Sequence, residues 1–86
     1  MKRILIVEDD TLLNKTLSYN LLSDGYSVSS AANLRTAVAM LSETDYDLVL
    51  LDINLPDGSG YDLCRRIKPK HPDTIVIFLT ANDQES

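Results

Sequence analysis

Three consecutive acids, Glu8, Asp9 and Asp10, follow the short apolar run Ile4-Leu5-Ile6-Val7, and a fourth, Asp52, follows the run Leu48-Val49-Leu50-Leu51. Carboxylates brought within a few ångströms of one another repel and raise one another's pKa unless a cation neutralises them. An all-oxygen donor set without a suitable His or Cys favours Mg²⁺, which keeps several waters and accepts phosphate oxygens. A third apolar run, Ile75-Val76-Ile77-Phe78-Leu79, leads into Thr80, whose hydroxyl could donate a hydrogen bond at the same place. An aspartyl nucleophile, a metal to offset phosphoryl charge and a donor for an equatorial oxygen are the parts needed for phosphoryl transfer to a carboxylate. No calcium-loop pattern of the D-x-[DN]-x-[DN]-G kind occurs.

These acids meet only if the elements that carry them lie side by side. The three apolar runs are continuous, as expected of strands buried on both faces, whereas Tyr26-Ser27-Val28-Ser29-Ser30 alternates and suits an edge strand. Between the strands, Leu13, Leu17 and Leu21 recur at four-residue spacing, with Asp10 or Thr11 as N-cap and Gly25 as a stop. Leu34, Ala37, Val38 and Leu41 mark a second helix capped by Asn33, and Leu63 with Ile67 marks a third that Pro69 ends. The order βαβαβαβ implies an α/β fold with a doubly wound parallel sheet of strand order 2-1-3-4. Ligands in such sheets bind beyond the carboxyl ends of the strands where the order reverses, here between the first and third strands. Glu8, Asp9 and Asp52 are placed at that reversal.

The other ionisable residues are expected to be structural. Asp10 alone could be a helix cap. Asp24, Asp45, Asp47, Asp62 and Asp73 read as surface charge, His71 as a solvated loop residue, and Cys64 as a core residue. Pro56-Asp57-Gly58-Ser59-Gly60 reads as a turn cluster.

Composition limits the function classes. The 86 residues, 44% hydrophobic and 24% charged, suit one small globular domain. A formal net charge of -5 argues against nucleic-acid binding by this segment. One cysteine allows no internal disulfide, and no apolar run has the length of a membrane span or a secretory signal. A reducing, cytoplasmic setting is expected.

The segments ILIVEDD (residues 4–10), LLDINLPDGSG (50–60) and IFLTA (77–81) resemble, in order and spacing, the motifs of the receiver domains of two-component response regulators. The resemblance covers residues 1–86. The wording DINLPDGSGYDLCRRI looks most like the OmpR/PhoB group, whose members usually carry a C-terminal winged-helix DNA-binding domain and control transcription. The resemblance implies a flavodoxin-like (CheY-like) fold, with Asp52 as phosphoacceptor and Glu8 and Asp9 as the acidic pair, Asp9 holding Mg²⁺ more directly. It further implies the backbone carbonyl of Asn54 as a metal ligand, Thr80 as the switch hydroxyl, loop-shaping roles for Pro56 and Gly60, and a histidine kinase as phosphoryl donor. A family receiver continues through a further helix, strand and helix, the strand ending in a site lysine that Lys68 and Lys70 cannot replace. The chain is thus expected to be a receiver truncated after its fourth strand.

In such a chain helix one covers one face of the sheet and helices two and three the other, so one face is under-covered and the fourth strand is an edge. Self-association through that strand or face is expected. The main rival is a receiver-derived fragment that keeps the fold and associates without being phosphorylated. A phosphatase of the haloacid dehalogenase type would need an Asp where Asn54 stands. A flavodoxin-like cofactor module would need a phosphate-cradling loop where Glu8-Asp9-Asp10 stand.

Overall fold

The computed structural model describes residues 2–79. The element order is β1 (Arg3–Val7), α1 (Thr11–Ser23), β2 (Ser27–Ala31), α2 (Leu34–Glu43), β3 (Leu48–Asp52), β4 (Asn54–Leu55), β5 (Gly58–Ser59), α3 (Gly60–Lys70) and β6 (Ile75–Leu79). Four strands form one parallel sheet in the order β2-β1-β3-β6, the expected 2-1-3-4 with the two-residue pair β4–β5 intervening in sequence. Ile4 pairs with Leu48 and Val7 with Leu51, so the ends of β1 and β3 are level. The second strand lies one residue later than its alternating pattern suggested, because Ser27 pairs with Arg3 and Ala31 with Val7.

The core sits on the face covered by α2 and α3. Leu5 and Val7 of β1 and Val49 and Leu51 of β3 pack there against Ala37 and Leu41 of α2 and Leu63 and Ile67 of α3. Leu34 and Val38 pack against the same cluster, so the apolar stripe expected of α2 is the one used. Cys64 also packs against it, half-buried. The third helix runs one residue past Pro69, because a proline in the last turn forfeits a single hydrogen bond. Its exit is held by Lys68, whose Nζ donates to the Thr74 carbonyl at 2.8 Å, and by the buried Thr74 Oγ1, which donates to the Tyr46 carbonyl at 2.7 Å.

The opposite face differs. Asp10 caps α1 by accepting from Leu13 N at 3.1 Å, yet no residue of α1 is buried. Its expected stripe is only half used, with Leu17 and Leu21 half-buried and Leu13 39% exposed. Polar contacts seat the helix instead: Asn14 Nδ2 donates to the Glu8 carbonyl at 2.9 Å, and the Ser18 and Ser30 hydroxyls lie 3.1 Å apart. The register places Ile4, Leu48 and Ile75 in one row of this face and Ile6, Leu50 and Ile77 in the next. Ile4 and Ile6 are buried, but Ile75 is 61% and Ile77 49% exposed. In the described sheet, β6 is an edge strand and its α1-side face is open, as handedness led us to expect.

Candidate metal centre

Parallel pairing of β1 with β3 fixes where the acids go. Asp52 is the last residue of β3 and pairs with Leu79 of β6, while Glu8 extends β1 through its N–H, which donates to the Ala31 carbonyl at 3.0 Å. Carboxylate oxygens of Glu8, Asp9 and Asp52 all lie within 4.8 Å of one another. Glu8 and Asp52 are buried and Asp9 is exposed. Among the described residues, Glu8 and Asp52 therefore form a buried floor and Asp9 an exposed rim, a setting that suits a small ion with its remaining waters.

The charges register this crowding. Burial pushes the Glu8 carboxyl up from 4.5 to about 7, although the Asp10 N–H, 3.0 Å from Oε2, pulls the other way. The Asp52 charge and hydrogen bonds to Asp9 and Asp52 add to the rise. Glu8 is thus crowded by burial and by neighbouring carboxylates, and a divalent cation would relieve that crowding. An all-carboxylate donor set with room for water suits Mg²⁺.

The loop after β3 is fixed at both ends. Gly60 N donates to the Ile53 carbonyl at 2.7 Å, and a Cβ on Gly60 would overlap the Asp52 carbonyl oxygen and come within 3.1 Å of Leu51 Cγ. Only a hydrogen fits there. This gives a physical cause for the loop-shaping role that the resemblance implied for Gly60. Leu55 is buried in the core cluster, and the antiparallel pairs Asn54–Ser59 and Leu55–Gly58 close the turn around Pro56 and Asp57.

The three acids expected at the site are brought together. Asn54 stands two residues past Asp52, at the start of β4, with its side chain exposed. Thr80 lies outside the described residues. Lys68 is held at the Thr74 carbonyl and Lys70 ends α3, both preceding β6 at the opposite edge of the sheet. His71 is also at that edge, but it is not solvated: its side chain is 17% exposed and its Nδ1 lies 3.2 Å from an Asp45 carboxylate oxygen. Asp47 likewise does more than carry surface charge, since its Oδ2 accepts from Arg3 N at 2.8 Å and secures the start of β1. Asp62 pairs with Arg65 along α3. The residue that sequence reasoning missed is Asp57, whose carboxylate accepts from Leu34 N at 2.8 Å and Arg35 N at 3.0 Å. Nothing local marks it, because its partners lie 22 and 23 residues away.

Among described residues, no helix is long and apolar enough to cross a membrane. The response regulator receiver domain family matches residues 4–86. The fold is similar to the non-phosphorylated receiver domain of HemR from Leptospira biflexa (41% identity, TM-score 0.89, covering 99% of this chain and 68% of that one). It is also similar to the response regulator TrrA from Thermotoga maritima in complex with Mg²⁺-BeF (38% identity, TM-score 0.89, 95% and 71% covered). TrrA in complex with the histidine kinase ThkA gives 37% identity and a TM-score of 0.87, with 98% and 72% covered. A parallel sheet in the order β2-β1-β3-β6, an acid cluster at its reversal point and a family match across nearly the whole chain agree: this chain belongs to the response regulator receiver domain family.

Proposed function

We propose that Asp52 accepts a phosphoryl group from a histidine kinase with Mg²⁺ bound beside it. The observation that carries this reading is the meeting of Glu8, Asp9 and Asp52 within 4.8 Å at the carboxyl ends of β1 and β3. Asp9 and Asp52 would hold the ion, with Glu8 beside them on the buried side and the Asn54 backbone carbonyl as a further oxygen. Bound there, Mg²⁺ neutralises charge building up on the phosphoryl oxygens. An Asp52 carboxylate oxygen attacks phosphorus as the bond to the donor imidazole breaks, and the Thr80 hydroxyl hydrogen-bonds a phosphoryl oxygen in the product. The chain is a phosphoacceptor and does not turn over a separate substrate. The Mg²⁺-BeF complex and the kinase complex of TrrA support the metal and the donor by analogy. The wording of residues 52–67 supports an OmpR/PhoB-like parent, cytoplasmic and controlling transcription through a DNA-binding domain.

Acetyl phosphate with Mg²⁺ tests the reading. Intact mass should rise by one phosphoryl group, and Asp52→Ala should abolish the gain; an unchanged mass in the parent chain contradicts it. A second reading is favoured by the exposed Ile75 and Ile77 on edge strand β6, namely a receiver-derived module that self-associates through that edge or face without phosphorylation. Association that is unaffected by Asp52→Ala, together with no phosphoryl gain, supports that alternative.

A further inference from the structure

We propose that Asp57 is a positioning residue for the metal site, clamping the loop that carries Asn54 to the N-terminus of α2. The proposal rests on the metal-site reading above.

A helix start leaves its first N–H groups without partners inside the helix. In α2, the Asn33 side chain takes one of them, accepting from Thr36 N at 2.8 Å, while the Asn33 carbonyl accepts the first bond of the helix ladder from Ala37 N at 3.2 Å. The first turn of α2 contains no acid of its own. Asp57 fills that role from another part of the chain, one carboxylate oxygen on Leu34 N and the other on Arg35 N. These two bonds hold the Asp57 carboxyl below its ordinary range, as expected of an ionised cap at a helix start.

The clamp sits on a loop with little freedom left. Asp57 is three residues past Asn54 and immediately before Gly58, whose φ of +149° strains any residue with a side chain and which packs against the tip of Leu34, 2.7 Å from Cδ1 to a Cβ built there. The far end of the loop returns to Asp52 through Gly60. Residues 53–59 thus run from the acid cluster to the start of α2 and back, and Asp57 makes the side-chain bonds to α2. Asp57 is exposed, so these bonds add nothing to core burial. What they fix is where the Asn54 backbone stands relative to Asp9 and Asp52. Outer-shell groups that orient metal ligands act in this manner.

The test is a calorimetric Mg²⁺ titration of the parent chain, Asp57→Asn and Asp57→Ala, with circular dichroism to compare folding. Both variants remove the same charge, but only the asparagine keeps an oxygen that can accept one of the two bonds. We expect Mg²⁺ to bind about tenfold more weakly to Asp57→Ala, with Asp57→Asn intermediate. Equal weakening in both variants would mean charge alone and would overturn the proposal, as would unchanged affinity with only a lowered melting temperature. A measurement on the parent chain needs no variant: saturating Mg²⁺ should shift the Leu34 and Arg35 amide resonances, and amides that stay fixed while those of Asp9 and Asp52 move would also overturn it. A parent chain that binds no Mg²⁺ would instead remove the metal-site reading itself.

Discussion

Gly60 packs so closely on Asp52 that any side chain at position 60 would overlap the Asp52 carbonyl oxygen. The contact joins the first residue of α3 to the last residue of β3, the strand end that carries an acid of the Glu8-Asp9-Asp52 cluster. Backbone atoms cannot swing aside as a flexible side chain can. Gly60→Ala should therefore cost about 2–4 kcal/mol of stability, in the range of severe overpacking. Urea unfolding measures it, and an alanine variant as stable as the parent would refute the contact.

Removing one of the three acids should stabilise the metal-free protein while destroying its response to metal. In Asp52→Asn the repulsion on Glu8 falls, and a gain of about 1 kcal/mol corresponds to roughly 4–8 °C in melting temperature for a domain of this size. Melts with a chelator and with excess Mg²⁺ should coincide for this variant and separate for the parent. A variant that melts lower than the parent without metal would contradict the crowding described here.

Glu8 gives that crowding a pH signature. Its carboxyl is raised from 4.5 to about 7 in the folded chain, so between these values the folded state holds a proton that the unfolded state has lost. The contribution of Glu8 to stability is then fully present below about 4.5 and is lost as pH rises through about 7. Mg²⁺ bound there would compete with that proton, so metal affinity should increase over the same window and binding should release protons. Comparing parent and Glu8→Gln melts in chelator from pH 4 to 8 isolates the effect: the difference between them should change mainly in that window, and a constant difference would exclude it.

The sequence carried the sheet and the acid cluster for related reasons. Continuous runs such as Ile4–Val7 and Leu48–Leu51 fit strands covered on both sides, and parallel pairing with level ends places Glu8, Asp9 and Asp52 together, whereas the equally continuous Ile75–Leu79 leaves Ile75 and Ile77 exposed on one face. The seating of α1 was not legible, because four-residue spacing of Leu13, Leu17 and Leu21 says nothing about how deep the stripe sinks, and the Asn14 and Ser18 contacts depend on β1 and β2 being in place. Asp57 escaped for the same reason: a turn acid and a helix cap look alike until the loop and α2 are seen to meet. The wording of residues 50–60 carried the family, which spacing alone would not have separated from other parallel sheets with acidic strand ends.

The β6 face that is open among the described residues is predicted to govern association. Ile75 and Ile77 are about half exposed or more, and covering an isoleucine fully contributes about 1.5–3 kcal/mol, so two copies gain by hiding these residues. Ile77→Lys should shift sedimentation at tens of micromolar toward the monomer while changing unfolding by about 1 kcal/mol or less, since the position is half in water already. A parent chain that sediments as a monomer at that concentration would rule out this use of the face.

A cation shared by the carboxylates of the acid cluster can be tested for directly. In crystals soaked with Mn²⁺, which takes the same oxygen ligands as Mg²⁺, anomalous difference density should show one peak bridging the carboxylates of Asp9 and Asp52 beside Glu8, and Asp52→Asn crystals should lose it. No peak at the carboxyl ends of β1 and β3, or ions only at surface acids such as Asp24 and Asp73, would contradict the account.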